Sequence, residues 1–314
     1  MIPGLVTTII PVFNRAEPLR EAVASVVAQT WRPVEVVIVD DGSTDETPRT
    51  IRALQAEHPD VVRTVIQANC GAGAAREAGL RAARGEFIQY LDSDDTLAPS
   101  KFELQVAGLR GNPECGISYG LVRDAQLGTP SHHSAEPFEH MFPHVLQSRL
   151  WPTLSPLYRR SVCDAIGPWS TRRIFEDWDY DCRAALLGVR LHHCPELVAW
   201  VWDRGDAHAG MAWQHDAQAM RDRIHAYLLV AQYARRGGLR PGSPDMQRIV
   251  RSLFWIAREA AAYGLASESA QLLQVAQSNA QGPQLQMRAF HAAARLMGWR
   301  RAGQLARMVA EGKP

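Results

Sequence analysis

Two short acidic runs carry the side chains best suited to chemistry. The first, Asp92-Ser93-Asp94-Asp95, sets three carboxylates within four residues at the end of an apolar run, residues 87–91. Neighbouring like charges raise one another's pKa and cost free energy. The cluster therefore reads either as a polar turn, with Asp95 or Thr96 capping the next helix near Pro99, or as a cation site. Hard divalent ions such as Mg²⁺ or Mn²⁺ prefer oxygen ligands, and Mg²⁺ is often held by one or two carboxylates plus substrate phosphates. The second run, Glu176-Asp177-Trp178-Asp179, opens a helical stretch. Negative charge there complements the helix dipole whatever else it does.

A third stretch, residues 69–79, contains Gly71-x-Gly73, the start of a dinucleotide fingerprint. Arg76 stands where the third glycine belongs, and the stretch follows the third predicted strand instead of the first. A dinucleotide site is not supported.

The elements that would hold these residues are readable. Residues 5–12 are β-branched and almost continuously apolar, as suits a strand buried on both faces, with Pro11 ending it. Leu19, Ala22, Val23, Val26 and Val27 recur at helical spacing. Strands follow at 35–39, 61–66 and 87–91, with helices at 46–57 and 71–83 between them. This βα alternation predicts a parallel, doubly wound sheet with its crevice at the strand ends. Further on, 116–120 reads as a strand, 129–143 as a loop, and 163–169 as a helix end with a Gly-Pro turn. A helix runs to residue 187 from the acidic run, and 190–202 alternates like a strand. From about 214 to 314 the chain becomes rich in Ala and Arg, predicting three or four helices.

Composition narrows the class. With 46% hydrophobic and 21% charged residues in 314, the chain matches a folded protein of one large and one smaller domain. A net charge of +1 gives no general signal for nucleic acid. Residues 207–314 nevertheless carry about eight more basic than acidic residues. The five cysteines have no paired metal spacing and are expected as reduced thiols. The first residues lack a signal-peptide pattern, and no apolar run of about 18 residues exists. The expected location is cytoplasmic.

Taken in order, Pro11-Val12-Phe13-Asn14-Arg15, residues 40–45, residues 69–79, Asp92-Ser93-Asp94-Asp95 and Glu176-Asp177-Trp178-Asp179 resemble the family 2 inverting glycosyltransferases of GT-A fold, over about residues 5–210. The resemblance implies a Rossmann-like, mostly parallel sheet flanked by helices in 1–213. Its nucleotide-sugar half is about 1–100, its acceptor half about 101–213, and an α-helical region follows at 214–314. It implies that Pro11, Phe13, Arg15, Asp41, Asn69, Arg76 and Asp92 bind a nucleoside-diphosphate sugar, UDP-linked. Asp41 would accept from the uracil N–H, Arg15 and Arg76 would contact the diphosphate, and small residues of 69–79 would let the helix approach the nucleotide. Phe13 would stack on the base or join the core, and Asp40 is read as capping the turn at Gly42 and Ser43.

Asp94 is implied as the ligand of Mn²⁺ or Mg²⁺, with Asp92 beside it, Asp95 interchangeable with it, and His208 as a further ligand or a surface residue. Asp177 is implied as the base for an acceptor hydroxyl, with Glu176 second. Asp179 would cap or orient at the acceptor site, and Trp178 would stack on a sugar or be core. The histidine pairs 132–133 and 192–193 are read as structural or solvated. The implied reaction is metal-dependent transfer to a glycan or lipid-linked acceptor in bacterial polysaccharide or surface-glycan synthesis, with no nucleic-acid partner. The alternative is a non-catalytic nucleotide-sugar-binding or scaffolding protein. Beyond the resemblance, residues 285–309 set Leu285, Ala289, Ala292, Leu296 and Trp299 on one helical face with arginines at its edges. That face suits peripheral contact with anionic lipid, or packing on the catalytic domain or a second subunit.

Overall fold

The β-branched run near the start forms strand β1 (Ile2–Val12), buried from Gly4 onward. The computed structural model describes residues 1–203 and 217–311. Contacts divide it into two units, Met1–Met141 with Arg149–Asp206, and Phe142–Ser148 with Ala207–Pro314.

In the first unit β1 is followed by α1 (Ala16–Val27), β2 (Val34–Asp40), α2 (Thr47–Glu57), β3 (Val62–Ile66), α3 (Ala72–Ala82) and β4 (Gly85–Tyr90). Leu19, Ala22, Val23 and Val26 are the buried face of α1, the helical spacing read from sequence. β1 pairs in parallel with β2 and with β4, and β2 with β3. Parallel pairing sends Val12, Asp40, Ile66 and Tyr90 to one edge, so four chemistry-bearing loops share a rim. Strand order turns back between β1 and β4, the arrangement that opens a crevice at strand ends.

Beyond β4 the sheet becomes mixed, although four of its seven strand pairings are parallel, as expected. β5 (Thr96–Leu97), α4 (Lys101–Gly111) and β6 (Cys115–Asp124) come next. β7 (Leu157–Arg159) then inserts between β4 and β6, antiparallel to both. After α5 (Arg160–Ile166) and α6 (Glu176–Leu186), β8 (Arg190–Val201) lies parallel to β6, with β5 antiparallel on its far side. The order across the sheet is β3-β2-β1-β4-β7-β6-β8-β5. The capping reading of Asp95 and Thr96 fails, because Thr96 is in a strand and α4 starts after Ser100. Fully buried Lys101 ties α4 to the segment before β7, its Nζ donating at 2.7 Å to both Gln105 Oε1 and the Ser155 carbonyl. Burial holds this amine well below its usual pKa.

Two glycines set how closely α3 packs. A Cβ on Gly79 would lie 2.3 Å from Ile9 Cγ2, and one on Gly73 would lie 1.9 Å from the Ser170 carbonyl oxygen. The small residues of this helix therefore serve contact with the sheet and with the segment leading into α6.

The second unit contains α7 (Ala217–Arg236), α8 (Pro244–Ala262), α9 (Ala266–Asn279), α10 (Leu285–Met297) and α11 (Trp299–Glu311). The described residues thus hold five C-terminal helices where periodicity suggested three or four. Ser243 caps α8 through the Met246 N–H, with Pro244 in the first turn. α8 packs against α7, α9 and α11. Gly298, at φ +85°, divides residues 285–309 into two helices instead of one. No helix among the described residues is long and apolar enough to cross a membrane.

Gly73→Ala should destabilise the fold by about 1–3 kcal/mol in denaturant unfolding, the range for overpacking a tight contact. Gly111→Ala, where an added Cβ meets nothing within 4 Å, should be neutral or mildly stabilising. Equal midpoints for the two variants would contradict the packing described.

Candidate active site

The rim loops are laced together before any ligand is considered. Asn14, at φ +51°, donates its N–H to Ser43 Oγ (3.0 Å) and accepts from the Thr44 N–H at Oδ1 (2.8 Å). The Arg15 N–H donates to Thr47 Oγ1 (2.9 Å). Asp40 Oδ1 accepts from the Ser43 N–H (2.9 Å), closing the turn in which Gly42 has φ +79°. Asp41 is buried. It accepts from Gln67 Nε2 (2.7 Å) and the Cys70 N–H (2.9 Å) at Oδ1 and from the Gly71 N–H (2.8 Å) at Oδ2. A carboxylate has about four lone-pair sites, so Asp41 fixes the loop after β3 and retains one for a further donor. Asn69 in that loop is exposed, as is Phe13 at 45%, which removes the core reading for Phe13.

Pro11 does not end its strand. It is buried within β1, opposite Val39 and beyond the last β1–β4 pair, so its missing N–H leaves no ladder partner waiting on that side. Its surroundings are the sheet, one residue short of the rim at Val12.

The two acidic runs meet at one guanidinium. Arg76, only 4% exposed, donates from Nη2 to Asp92 Oδ1 and from Nη1 to Glu176 Oε1, both at 2.7 Å. Its guanidinium lies over Trp169 at 4.9 Å, and Trp169 stacks on Tyr180 at 4.0 Å. Burial acts to lower the Arg76 pKa, but Asp92 and Glu176 outweigh it and keep the group charged. In this structure Arg76 is held between the carboxylates of the two acidic runs.

A second arginine, Arg149, organises the other acids. Its Nη1 donates to Asp177 Oδ2 (2.6 Å) and its Nε to Asp181 Oδ2 (3.2 Å). Asp177, a quarter exposed, also accepts from the Trp178 N–H (2.7 Å). For Asp177 burial favours the neutral form, but Arg149, then Arg76 and the backbone N–H prevail, so its pKa is lowered. For Glu176 burial and then the Asp177 charge prevail over Arg76, and its pKa is raised. Asp181 is pushed up to about 6, by burial first, with Asp177 adding and Arg149 opposing.

The remaining predicted residues divide. Asp94 is half-buried on the turn after β4, beside Asp92. Asp95 is buried and accepts from the Trp202 N–H at 3.0 Å, so it does not exchange roles with Asp94. Trp178 is 6% exposed against Phe175 and belongs to the core, and Asp179 accepts from Arg183 Nε at 3.0 Å. Neither offers an open face to an acceptor. His208 lies outside the described residues. Among the described residues no three His, Cys, Asp or Glu side chains converge as a metal cage. Asp92 and Asp94 do fit an ion that takes one or two carboxylates and fills its shell with phosphate and water.

Sequence reading missed Arg149, Trp169 and Asp181. The available signal was the i, i+4 spacing of Asp177 and Asp181, which puts both carboxylates on one helix face and calls for a cation. His132, read as structural or solvated, is exposed.

The model of the family described as glycosyl transferase family 2 matches residues 7–162. An uncharacterized glycosyltransferase of Nostoc sp. is 35% identical over 171 residues, which cover 52% of this chain and 53% of that protein. The succinoglycan biosynthesis protein ExoO of Rhizobium meliloti is 41% identical over 101 residues, 32% of this chain and 28% of that one. The chain thus spans about half or less of the length of these curated relatives. Among solved structures, S. aureus TarS 1-349 in complex with UDP-GlcNAc has a TM-score of 0.73 at 17% identity, covering 98% of this chain and 92% of that one. The mannosyltransferase PcManGT from Pyrobaculum calidifontis, in complex with GDP-Man and Mn²⁺, has a TM-score of 0.55 at 21% identity, covering 95% and 83%. At these identities the likeness is one of fold.

An ordinary aspartate titrates at 3.8, whereas folded Asp181 keeps its proton to about pH 6. Between those values the folded state binds more protons than the unfolded state, so this group makes stability fall as pH rises. Thermal melts should show wild type losing ground to Asp181→Asn from pH 4 to 6. A Tm difference that stays flat across that window would contradict the assigned burial.

Proposed function

The chain belongs to glycosyl transferase family 2, and from that premise we propose that it transfers a sugar from a nucleoside-diphosphate donor, UDP-linked, to a hydroxyl of a glycan or lipid-linked acceptor, with inversion. The carrying observation is the Arg76 bridge, which joins donor-side Asp92 to acceptor-side Glu176 through one buried side chain. The UDP-GlcNAc held by TarS supports a UDP-sugar donor, and the succinoglycan biosynthesis named for ExoO supports a role in polysaccharide synthesis.

Exposed Phe13 offers a face for the base, and the remaining lone pair of Asp41 suits the uracil N–H. Asp94 and Asp92 would hold a divalent ion, which in PcManGT is Mn²⁺. Such an ion supplies charge stabilisation to the departing nucleoside diphosphate. Asp177 is the base. Its lowered pKa keeps it ionised at neutral pH, and the Arg149 contact orients the carboxylate. The accepted proton remains on the carboxyl as the sugar bond to phosphate breaks. Glu176 holds Arg76 and does not take that proton.

Release of UDP from a panel of sugar nucleotides with Mn²⁺ or Mg²⁺ tests the reading. Asp177→Asn should lower turnover by about 10²–10⁴-fold, the usual contribution of a general base, with nucleotide affinity largely kept. Asp94→Ala should lose both turnover and the ion-dependent part of nucleotide binding. Near-normal turnover in Asp177→Asn would overturn the base assignment. Arg149→Met removes the cation that holds Asp177 ionised, so the acid limb of the kcat/KM profile should move to higher pH. An unmoved limb would count against the Arg149–Asp177 couple.

A further inference from the structure

Helix α10 is apolar on two opposite sides. Met287, Phe290 and Ala294 are buried, and Phe290 meets Phe254 of α8 and Trp299 edge-on at 5.9 and 6.1 Å. At about 100° per residue, Leu285, Ala289, Ala292 and Leu296 form a second stripe roughly opposite the first. That stripe is open, with Leu285 70% and Leu296 87% exposed. Helix α11 repeats the pattern. Ala302 and Gly303 are buried, Gly303 against the α8 backbone, while Leu305, Met308 and Val309 stay exposed.

Charge around these stripes has one sign. Between Glu268 and Glu311 there is no carboxylate, while Arg288, Arg295, Arg300, Arg301 and Arg307 fall in that interval. Arg307 is held by Glu259 at 2.6 Å, and the other four are exposed. Open apolar side chains flanked by uncompensated arginines complement a surface that is apolar beneath and anionic above. A second copy of the chain complements it poorly, since a two-fold contact would turn the same arginines on themselves.

We propose that α10 and α11 bind an anionic lipid surface in its plane. Leu285, Leu296, Leu305 and Met308 enter the acyl boundary, and Arg288, Arg295, Arg300 and Arg301 meet headgroup phosphates. The proposal stands apart from sugar transfer, because vesicle binding and UDP release are separate readouts.

The 314-residue chain is sedimented with vesicles of phosphatidylcholine alone and with about one-third phosphatidylserine. Binding should require phosphatidylserine and weaken with salt, as interactions of exposed charges do. Arg295→Gln with Arg300→Gln and Arg301→Gln should lose about fivefold in partitioning per arginine. Leu296→Glu with Met308→Glu should lose at least about tenfold, since each change also removes apolar insertion. Both variants alter exposed side chains, so their melting curves should match wild type, and their UDP release without vesicles should be unchanged. Three results would overturn the proposal. They are wild type pelleting with neither vesicle, both variants binding as wild type does, and light scattering that reveals a dimer which Leu296→Glu dissolves while vesicles are ignored.

Discussion

A guanidinium buried among carboxylates is the constraint on which the first unit depends. Arg76 cannot leave its place without stranding a charge, because burying an ion is tolerable only when partners and hydrogen bonds compensate it. Its partners come from two distant parts of the chain, Asp92 after β4 and Glu176 at the start of α6. Gly73 lets α3 come close enough to the 167–176 segment for that reach, and Trp169 covers the cation from above. Rigid helix, short turn and aromatic face all converge on one side chain.

Charge balance then explains why neighbouring acids differ. Two arginines, Arg76 and Arg149, face four carboxylates, those of Asp92, Glu176, Asp177 and Asp181. The excess negative charge is not shared equally. Asp177 feels both cations and a backbone N–H and stays ionised, while Glu176 and Asp181 are pushed toward their neutral forms. One acid in the cluster is thereby kept ready to accept a proton. Asp94 adds a further carboxylate nearby in sequence, and the proposed divalent ion would relieve the excess on the donor side.

How much of this could be read beforehand depended on element length and on the range of each contact. β1 to β4 and the helices between them were legible because runs such as Val34–Asp40 are almost wholly β-branched and helical spacing persists through Leu19, Ala22, Val23 and Val26. Shared direction then put the acidic turn and the Asp41 loop on one rim. β5 and β7, two and three residues long, fall below any detectable period, and with them went the mixed character of the sheet. Arg149 was invisible because its partners lie 28 and 32 residues away. Trp178 was balanced between two roles until its packing against Phe175 appeared. In the C-terminal unit the apolar repeat ran through Gly298 without a break, and only its positive φ divides the helix.

The central claim is that Arg76 and Glu176 act as one unit. A double-mutant cycle with Arg76→Met, Glu176→Gln and the pair, read by denaturant unfolding, measures that coupling directly. The account predicts an interaction energy of about 1–3 kcal/mol, with the double variant less damaged than the sum of the singles. Additivity to within about 0.5 kcal/mol would mean that the two side chains do not depend on each other, and the link between the acidic motifs would fall.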